Sequence, residues 1–161
     1  MKSSTIKRLL LLSFTLVLAV LASSCSTSSI SATEAKRWSE KVIADETKAI
    51  ELNPNDAVAY EARARAKSVG HDYDGAIADY TKAIELNPNY SQAFSNRGAA
   101  KKNKGDLDGA IADETKAIEL DPSFWCSYYV RGMVEQKRGD SAGAYSDLKR
   151  ASALSNGRFR Q

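Results

Sequence analysis

Hydrophobic and polar positions follow two different patterns along the chain. An uncharged apolar run of 14 residues spans Leu9 to Ala22. From about residue 34 onward, apolar residues recur at helical spacing among polar ones. One stripe has the spacing i, i+1, i+4, i+7 and i+8: Ala76, Ile77, Tyr80, Ala83 and Ile84. Since such a stripe lies on one face of a helix, the pattern predicts amphipathic helices after an apolar N-terminal segment.

Polar and turn-forming residues mark where these helices start and stop. Asp56 is a typical N-cap for a helix over residues 57–67. The sequence Gly70-His71-Asp72 predicts a turn, and a second helix over residues 73–86 ends before Pro88. The sequence therefore predicts a helical hairpin.

This hairpin recurs with a fixed period. Residues 43–54 read IADETKAIELNP, residues 77–88 read IADYTKAIELNP, and residues 111–122 read IADETKAIELDP. The prolines that close these segments are 34 residues apart. Because one hairpin cannot bury its own apolar face, the period predicts a stack of repeats that cover one another.

The repeated residues resemble those of the tetratricopeptide repeat (TPR) family. The resemblance implies an all-α solenoid of about 3.5 helical hairpins in a right-handed superhelix. Its full repeats are 57–90, 91–124 and 125–156, with a partial repeat at 34–56 and a tail at 157–161. The resemblance rests on the large aromatic and small residues of the first helix and the paired alanines of the second: Tyr60, Phe94 and Tyr128; Ala64, Gly98 and Gly132; Ala76/Ala83, Ala110/Ala117 and Ala144/Ala151.

One position of the second helix departs from the family pattern. The slot that packs against the next repeat holds Tyr80 in one repeat but Glu46 and Glu114 in two others. We expect these carboxylates to reach water or to pair with a nearby arginine. The alternative is a local softening of the stack or a polar contact for a partner.

The first and last helices of the stack have no neighbouring repeat on one side. After Leu154 the sequence has no polar helix of the kind that closes such stacks, so we expect the last helix to be partly uncovered. A partner, self-association or the tail at Phe159 could cover the slot residue Leu148. At the other end, Ser31 and Glu34 are spaced as a capping box.

The N-terminus has the features of an export signal. As a helix, the apolar run would be about 21 Å long, shorter than the ~30 Å hydrocarbon core of a membrane. Residues 21–25 read LASSC and resemble the lipobox of bacterial lipoproteins, although Ala22 stands where Leu is usual. The resemblance implies a signal peptide at 1–24, lipidation of Cys25, and a flexible tether at 25–33.

This resemblance also implies a membrane-anchored protein of the cell envelope. In the family, Ser rather than Asp after the Cys favours the outer membrane, on its periplasmic side, where the host has two membranes; here the residue is Ser26. Two alternatives stay open. One is a plain secretory signal cut near Ala22 or Ser24, giving a periplasmic or secreted protein, and the other is an uncleaved anchor.

Charge argues against a nucleic-acid partner. The chain has 23 Lys+Arg, 20 Asp+Glu and a net charge of +3. Lys2, Lys7 and Arg8 account for this excess, because from residue 25 onward 20 basic residues balance 20 acidic ones. Without its N-terminus the protein is neutral, whereas nucleic-acid binding needs a basic patch.

No constellation of catalytic or metal-ligating residues is recognisable in the sequence. His71 is the only histidine and is interpreted as a turn residue, while Cys126 is interpreted as a small hydrophobe. Gly98, Gly105 and Gly109 belong to the repeat punctuation and do not form a phosphate-binding loop. We therefore predict no catalytic residues, no metal and no cofactor.

A short basic cluster in the second full repeat has a similarly simple interpretation. Lys101, Lys102 and Lys104 lie near Asp106 and Asp108 in the sequence. We expect these aspartates to counter the lysines at a solvated helix end.

By the TPR resemblance, the first helices of successive repeats line a concave groove that binds peptides. In some members of the family this groove grips a terminal carboxylate, which we expect Glu61 to repel. Tyr129 and Met133 are one helical turn apart and form a better anchor for an apolar side chain; alternatively they belong to the core between repeats. The candidate partner-binding residues are Glu61, Arg65, Asn96, Lys102, Tyr129, Met133 and Gln136.

The sequence thus predicts a non-catalytic adaptor or scaffold that binds a protein or peptide and is held at the membrane by its lipid. The alternative is a structural envelope protein that self-assembles by stacking through its uncapped C-terminal repeat.

Overall fold

The computed structural model describes residues 32–158. Over this range the chain forms helices and no strand. Contacts within the chain separate Met1–Glu34 from Ala35–Gln161, and the repeats lie in the second unit. The helices are α1 (Ala32–Leu52), α2 (Ala57–Val69), α3 (Tyr73–Leu86), α4 (Ser91–Lys104), α5 (Leu107–Leu120), α6 (Trp125–Arg138) and α7 (Ser141–Arg158).

Capping and turn residues set the helix ends at the places that the sequence predicts. The carboxylate of Asp56 accepts hydrogen bonds from the backbone N–H groups of Val58 and Ala59, at 2.9 and 3.1 Å. Gly105 and Gly139 close the turns of the later repeats with φ of 91° and 89°, and His71 adopts φ 63° at the equivalent place. His71 is therefore a turn residue, as predicted, in a backbone conformation that favours glycine.

The helices pair into hairpins that stack in chain order. Helix α2 packs against α3, α4 against α5, and α6 against α7. Successive hairpins meet where α3 contacts α4 and α5 contacts α6, and the first helices α2, α4 and α6 also contact one another in turn. This arrangement confirms the predicted all-α fold of stacked hairpins.

Small residues let the two helices of each hairpin approach closely. Ala64 and Ala76 are fully buried and form a core with Tyr80 and Ala100. In the next hairpin a Cβ atom at Gly98 would lie 2.8 Å from the side chain of Glu114. Since real Cβ contacts are longer, an alanine at this position would need the end of the Glu114 side chain to shift, whereas Ala64 fits opposite Tyr80 in the first hairpin.

An arginine in each first helix ties three helices together. Arg97 donates two hydrogen bonds to the carboxylate of Asp113 in the next helix, at 2.8 and 2.9 Å. Its third nitrogen donates to Thr81 in the preceding helix at 3.0 Å, and its guanidinium lies 5.5 Å from the ring centre of Phe94. The same contacts recur for Arg63 with Asp79 and Thr47, and for Arg131 with Asp147 and Thr115. These charge-assisted bonds fix the register of neighbouring repeats.

The basic cluster does not pair as predicted. Lys101 binds Asp113 at 2.8 Å, and Lys104 pairs with Asp74 of the preceding repeat. Asp106 instead caps α5 through the N–H of Gly109, and Asp108 pairs with Arg138 at 3.0 Å. The expectation that Asp106 and Asp108 counter these lysines is therefore wrong, because the stack brings carboxylates of other helices closer.

One of the two acidic slot residues, Glu114, also differs from the expectation. Glu114 is 0% exposed and pairs with no arginine of the described residues, so the prediction that it reaches water or an arginine is wrong. The repeat interface encloses it at the position that Tyr80 fills in the first repeat. Glu46, by contrast, is half-buried on α1.

The C-terminal end of the stack is partly uncovered, as predicted. Tyr145 on α7 is 70% exposed, since no further repeat packs against it within residues 32–158. Leu148 is half-buried, and α7 continues past Leu154 to Arg158. The predicted signal peptide, Cys25, the capping residue Ser31 and the tail at Phe159 lie outside the described residues. Among the helices described, none is long and apolar enough to span a membrane.

Candidate functional site

The first helices α2, α4 and α6 carry two adjoining cavities, which we call the inner groove. The first measures about 240 Å³ and the second about 410 Å³, and Asn103 lines both. The first is lined by Trp38, Arg65, Ser68, Val69, Tyr80, Asn96, Ala99, Ala100 and Asn103. The second is lined by Lys102, Asn103, Met133, Gln136 and Lys137.

Most of the sequence-predicted partner-binding residues lie in this groove. Arg65 and Asn96 line the first cavity, whereas Lys102, Met133 and Gln136 line the second. Tyr129 lies one helical turn before Met133 on α6 and is 47% exposed. Five of the seven candidates therefore border a cavity, Tyr129 is exposed beside one, and Glu61 is set apart by its burial.

Glu61 is a buried link between the first two full repeats. It accepts a 2.9 Å hydrogen bond from Nδ2 of Asn96, and its other oxygen lies 3.8 Å from Arg65. Burial raises the pKa of Glu61, while Arg65 and Asn96 act in the opposite direction. Because Glu61 is buried and paired, the reason for expecting it to repel an incoming carboxylate no longer holds.

Tyr80 forms part of the floor of the first cavity. Burial raises its pKa to about 12, so its phenol stays neutral at physiological pH. Above this floor the guanidinium of Arg65 is half-exposed. The first cavity thus joins an apolar base to one accessible positive charge.

Tyr129 and Met133 form an exposed apolar strip beside the second cavity. Met133 is 38% exposed, and the ring of Tyr129 lies 6.5 Å from that of Trp125 in a tilted arrangement. The interpretation of this pair as buried core between repeats therefore accounts for only part of each side chain.

Eight groove residues were not among the sequence candidates: Trp38, Ser68, Val69, Tyr80, Ala99, Ala100, Asn103 and Lys137. Asn103 follows Asn96 by seven residues, so helical spacing places it on the same face. Trp38 was missed because α1 was interpreted only as a second helix, whereas its first turns reach the groove. Exposed aromatic residues such as Trp38 are a useful signal of a contact surface.

Catalytic chemistry would require converging polar groups. Within residues 32–158 no group of three or more His, Cys, Asp and Glu side chains is arranged to hold a metal ion. His71 lies in an exposed turn, where its Nδ1 is 2.9 Å from the hydroxyl of Tyr73. Cys126 is half-buried on α6.

Comparison with known proteins identifies the repeats. Residues 71–105 match a family model described as TPR repeat, and residues 91–124 match one described as Tetratricopeptide repeat. The matched segments together cover α3, α4 and α5 completely. The chain therefore carries tetratricopeptide repeats. No curated protein sequence matches it.

Solved structures share the fold. A crystal structure of MamA is 20% identical, with 87% of each chain covered and a TM-score of 0.69. A second MamA structure is 23% identical, covers 80% of this chain and 73% of its own, and has a TM-score of 0.68. The Arabidopsis OM64 TPR domain is 26% identical over 61% of this chain and 81% of its own, with a TM-score of 0.60. The described helices thus have the TPR fold, which generally serves protein interaction without catalysis.

Proposed function

We propose that this protein is a non-catalytic TPR adaptor that binds a protein or peptide partner in its inner groove. The observation that carries the proposal is the accessible pair Tyr129 and Met133 beside a cavity of about 410 Å³. Exposed aromatic and methionine side chains at the edge of a cavity are typical anchors for an apolar partner side chain. The hydrogen bonds of Arg97 and Arg131 to neighbouring helices hold this surface in one geometry, which lowers the entropic cost of binding.

The groove assignment is tested by capture of partners from an envelope extract of the source cells. The double variant Tyr129→Ala/Met133→Ala is compared with Tyr145→Ala, which removes an exposed aromatic residue from α7 instead. Loss of a specific partner only in the double variant supports the groove. A partner set unchanged by the double variant excludes it.

The proposal extends to a membrane anchor at Cys25. It is supported by the basic start, the apolar run and the LASSC sequence, which together resemble a lipoprotein signal. Several acyl chains on one cysteine anchor a protein stably, since each buried CH₂ contributes ~0.8 kcal/mol. The tether at 25–33 would then join the stack to the periplasmic side of the outer membrane in a host with two membranes. Mass spectrometry of the mature N-terminus tests this: an intact Met1 or an unmodified Cys25 excludes it.

Self-assembly through the C-terminal repeat is the second candidate, and the exposure of Tyr145 supports it. One feature opposes a simple continuation of the stack. Within the chain, Thr47, Thr81 and Thr115 each accept a hydrogen bond from the next arginine, whereas the equivalent position in α7 is Lys149. A lysine has no acceptor for a hydrogen bond of this kind. Light scattering separates the two candidates, because a strict monomer at high concentration excludes self-stacking.

A further inference from the structure

The second cavity of the inner groove has a marked charge. We propose that it binds the carboxylate of an Asp or Glu side chain in the partner, next to an apolar residue that packs on Tyr129 and Met133. This inference rests on the proposed function, since it names the chemistry of the segment that the groove takes. It concerns side chains within the segment rather than a chain terminus.

The cavity lining consists of hydrogen-bond donors around one apolar side chain. Of these residues, Lys102 and Lys137 carry ammonium groups, and Asn103 and Gln136 carry amides. Among residues 32–158, no carboxylate lines this cavity. Such a lining complements a negative group that also accepts hydrogen bonds, and it disfavours a cationic one.

The two lysines of this cavity differ from their neighbours in having no acidic partner. Lys101 binds Asp113 at 2.8 Å, and Lys116 binds Glu119 at 3.0 Å. Within the described range, neither Lys102 nor Lys137 has a carboxylate within the 4.0 Å of an ion pair. A protein of balanced composition thus leaves two cations uncompensated on one surface.

The nearest acidic residues do not neutralise the positive charge of Lys102 and Lys137. Glu114 interacts electrostatically with Lys102, but burial raises its pKa to about 8, so most of it is neutral at pH 7. Glu135 and Asp140 line a separate cavity with Arg138. Asp108 pairs with Arg138 at 3.0 Å. The positive charge of the second cavity is therefore available to a ligand.

The geometry also places an apolar contact beside the charge. Met133 belongs to the cavity lining, and Tyr129 is one turn earlier on the same helix. A bound segment would present its acidic side chain to the lysines and an aromatic or branched side chain to this strip. Combining a charged contact with an apolar anchor gives both orientation and affinity.

A library of random peptides displayed on phage tests this chemistry with the full-length chain as bait. The variants are Lys102→Gln/Lys137→Gln, Tyr129→Ala/Met133→Ala, and the matched control Lys82→Gln/Lys116→Gln, which removes the same charge from α3 and α5. We expect the wild type and the control to enrich peptides in which Asp or Glu lies within four residues of an aromatic or branched side chain. The lysine variant should lose the acidic preference and keep the apolar one.

Synthetic copies of an enriched peptide give the quantitative comparison. Replacing its acidic residues by Asn or Gln should weaken binding about tenfold to the wild type and little to the lysine variant. Higher ionic strength should reduce the wild-type affinity in the same way. An enriched set without acidic residues, or an acidic preference that persists in the lysine variant, overturns this inference alone. Peptides that bind equally well to the Tyr129→Ala/Met133→Ala variant, or no enrichment at all, overturn the proposed function with it.

Discussion

Nδ2 of Asn96 donates a 2.9 Å hydrogen bond to Oε1 of Glu61, which lies 35 residues earlier in the chain. This bond joins the first helices of two successive repeats directly beneath the inner groove. It satisfies a buried carboxylate whose other oxygen lies 3.8 Å from Arg65. The pair therefore stabilises the stack and also keeps the negative charge of Glu61 away from a ligand.

Asn96→Ala should lower the free energy of unfolding by about 1–3 kcal/mol, because it leaves a buried carboxylate oxygen without a donor. The loss should be smaller when Asn96→Ala is introduced into a Glu61→Ala background, where no carboxylate remains to be satisfied. Urea denaturation of the four proteins measures both values. Asn103→Ala is the control on the exposed part of the same helix, and a loss as large as that of Asn96→Ala would contradict this account.

Asp79→Asn should destabilise the protein by about 3–5 kcal/mol at pH 7, since it breaks a largely buried network around Arg63 and Lys67. Burial opposes the ionisation of Asp79, but hydrogen bonds from Arg63 and Lys67 outweigh it and lower its pKa. A depressed pKa gives stability that is present above the unfolded value and is lost as the pH falls through the folded value. Below about pH 4 the difference between wild type and Asp79→Asn should therefore shrink.

Chemical denaturation at pH 7 and at pH 3 tests this dependence. Asp74→Asn is the matched control, because Asp74 is an exposed carboxylate of the same helix that pairs with Lys104. A constant difference between wild type and Asp79→Asn over this pH range would show that ionisation of Asp79 does not stabilise the fold.

Local residues predicted the helices better than they predicted the contacts between them. Asp56, the turn at His71 and the apolar stripe of α3 act over a few residues, so the hairpin could be predicted from its own sequence. The partner of Arg97 could not, because Asp113 and Thr81 lie 16 residues away on either side and meet it only in the stack. A period of 34 residues shared by Arg, Asp and Thr was the available signal.

The burial of the carboxylates of Glu61 and Glu114 could not be predicted from the sequence, for a different reason. A glutamate is usually exposed, so Glu61 and Glu114 were interpreted as surface residues. Their burial depends on the small Gly98 opposite Glu114 and on Asn96 opposite Glu61. Both neighbours were visible as residue types, but their facing geometry required the packed repeats.

Glu135→Lys should raise the stability by about 1 kcal/mol. In the first two full repeats a lysine binds the aspartate that also binds the repeated arginine: Lys67 binds Asp79, and Lys101 binds Asp113. The third repeat has Glu135 at the position of these lysines. Burial and the charge of Asp147 raise the pKa of Glu135, and one of its oxygens is buried without a hydrogen-bond partner. A lysine would replace repulsion of Asp147 by an ion pair.

Thermal unfolding at pH 7 measures this gain, with Glu85→Lys as an exposed control of equal charge change. Because the pKa of Glu135 is raised, its penalty is absent below the unfolded value and grows as the pH rises through the folded one. The advantage of the lysine should therefore be larger at pH 7 than at pH 4. Equal gains for both variants would show that net charge, rather than Asp147, is responsible.

His71→Gly should stabilise the protein by about 0.5 kcal/mol. The residue has φ 63°, and the equivalent Gly105 and Gly139 have φ near 90° without steric cost. Part of the gain is offset by the greater freedom of glycine in the unfolded chain and by loss of the contact with Tyr73. His71→Val should instead destabilise, since a β-branched residue is strained there. A melting temperature of His71→Val at or above that of the wild type would contradict the turn geometry.

Glu114 places a carboxyl group inside the interface between the second and third full repeats. It is 0% exposed, and within residues 32–158 neither oxygen has a hydrogen-bond partner of good geometry, although the hydroxyls of Ser95 and Ser127 are close enough to favour its ionised form. Burial outweighs these hydroxyls and raises its pKa to about 8. The protonated form is therefore the one that the interface accommodates.

Ionisation of Glu114 should make the stack weaker as the pH rises. Between its unfolded pKa near 4.3 and its folded pKa of about 8, the native state holds a proton that the unfolded state has released. The free energy of unfolding should then fall by up to about 1.4 kcal/mol per pH unit.

Glu114→Gln removes this dependence, so the variant should gain several kcal/mol over the wild type at pH 8 and little at pH 4. Urea denaturation at both pH values measures the gain, and Glu119→Gln is the exposed control on the same helix. If the advantage of Glu114→Gln were equal at pH 4 and pH 8, the pKa of Glu114 would have to be the same in the folded and unfolded states, as for a carboxyl group in contact with solvent rather than enclosed between the repeats.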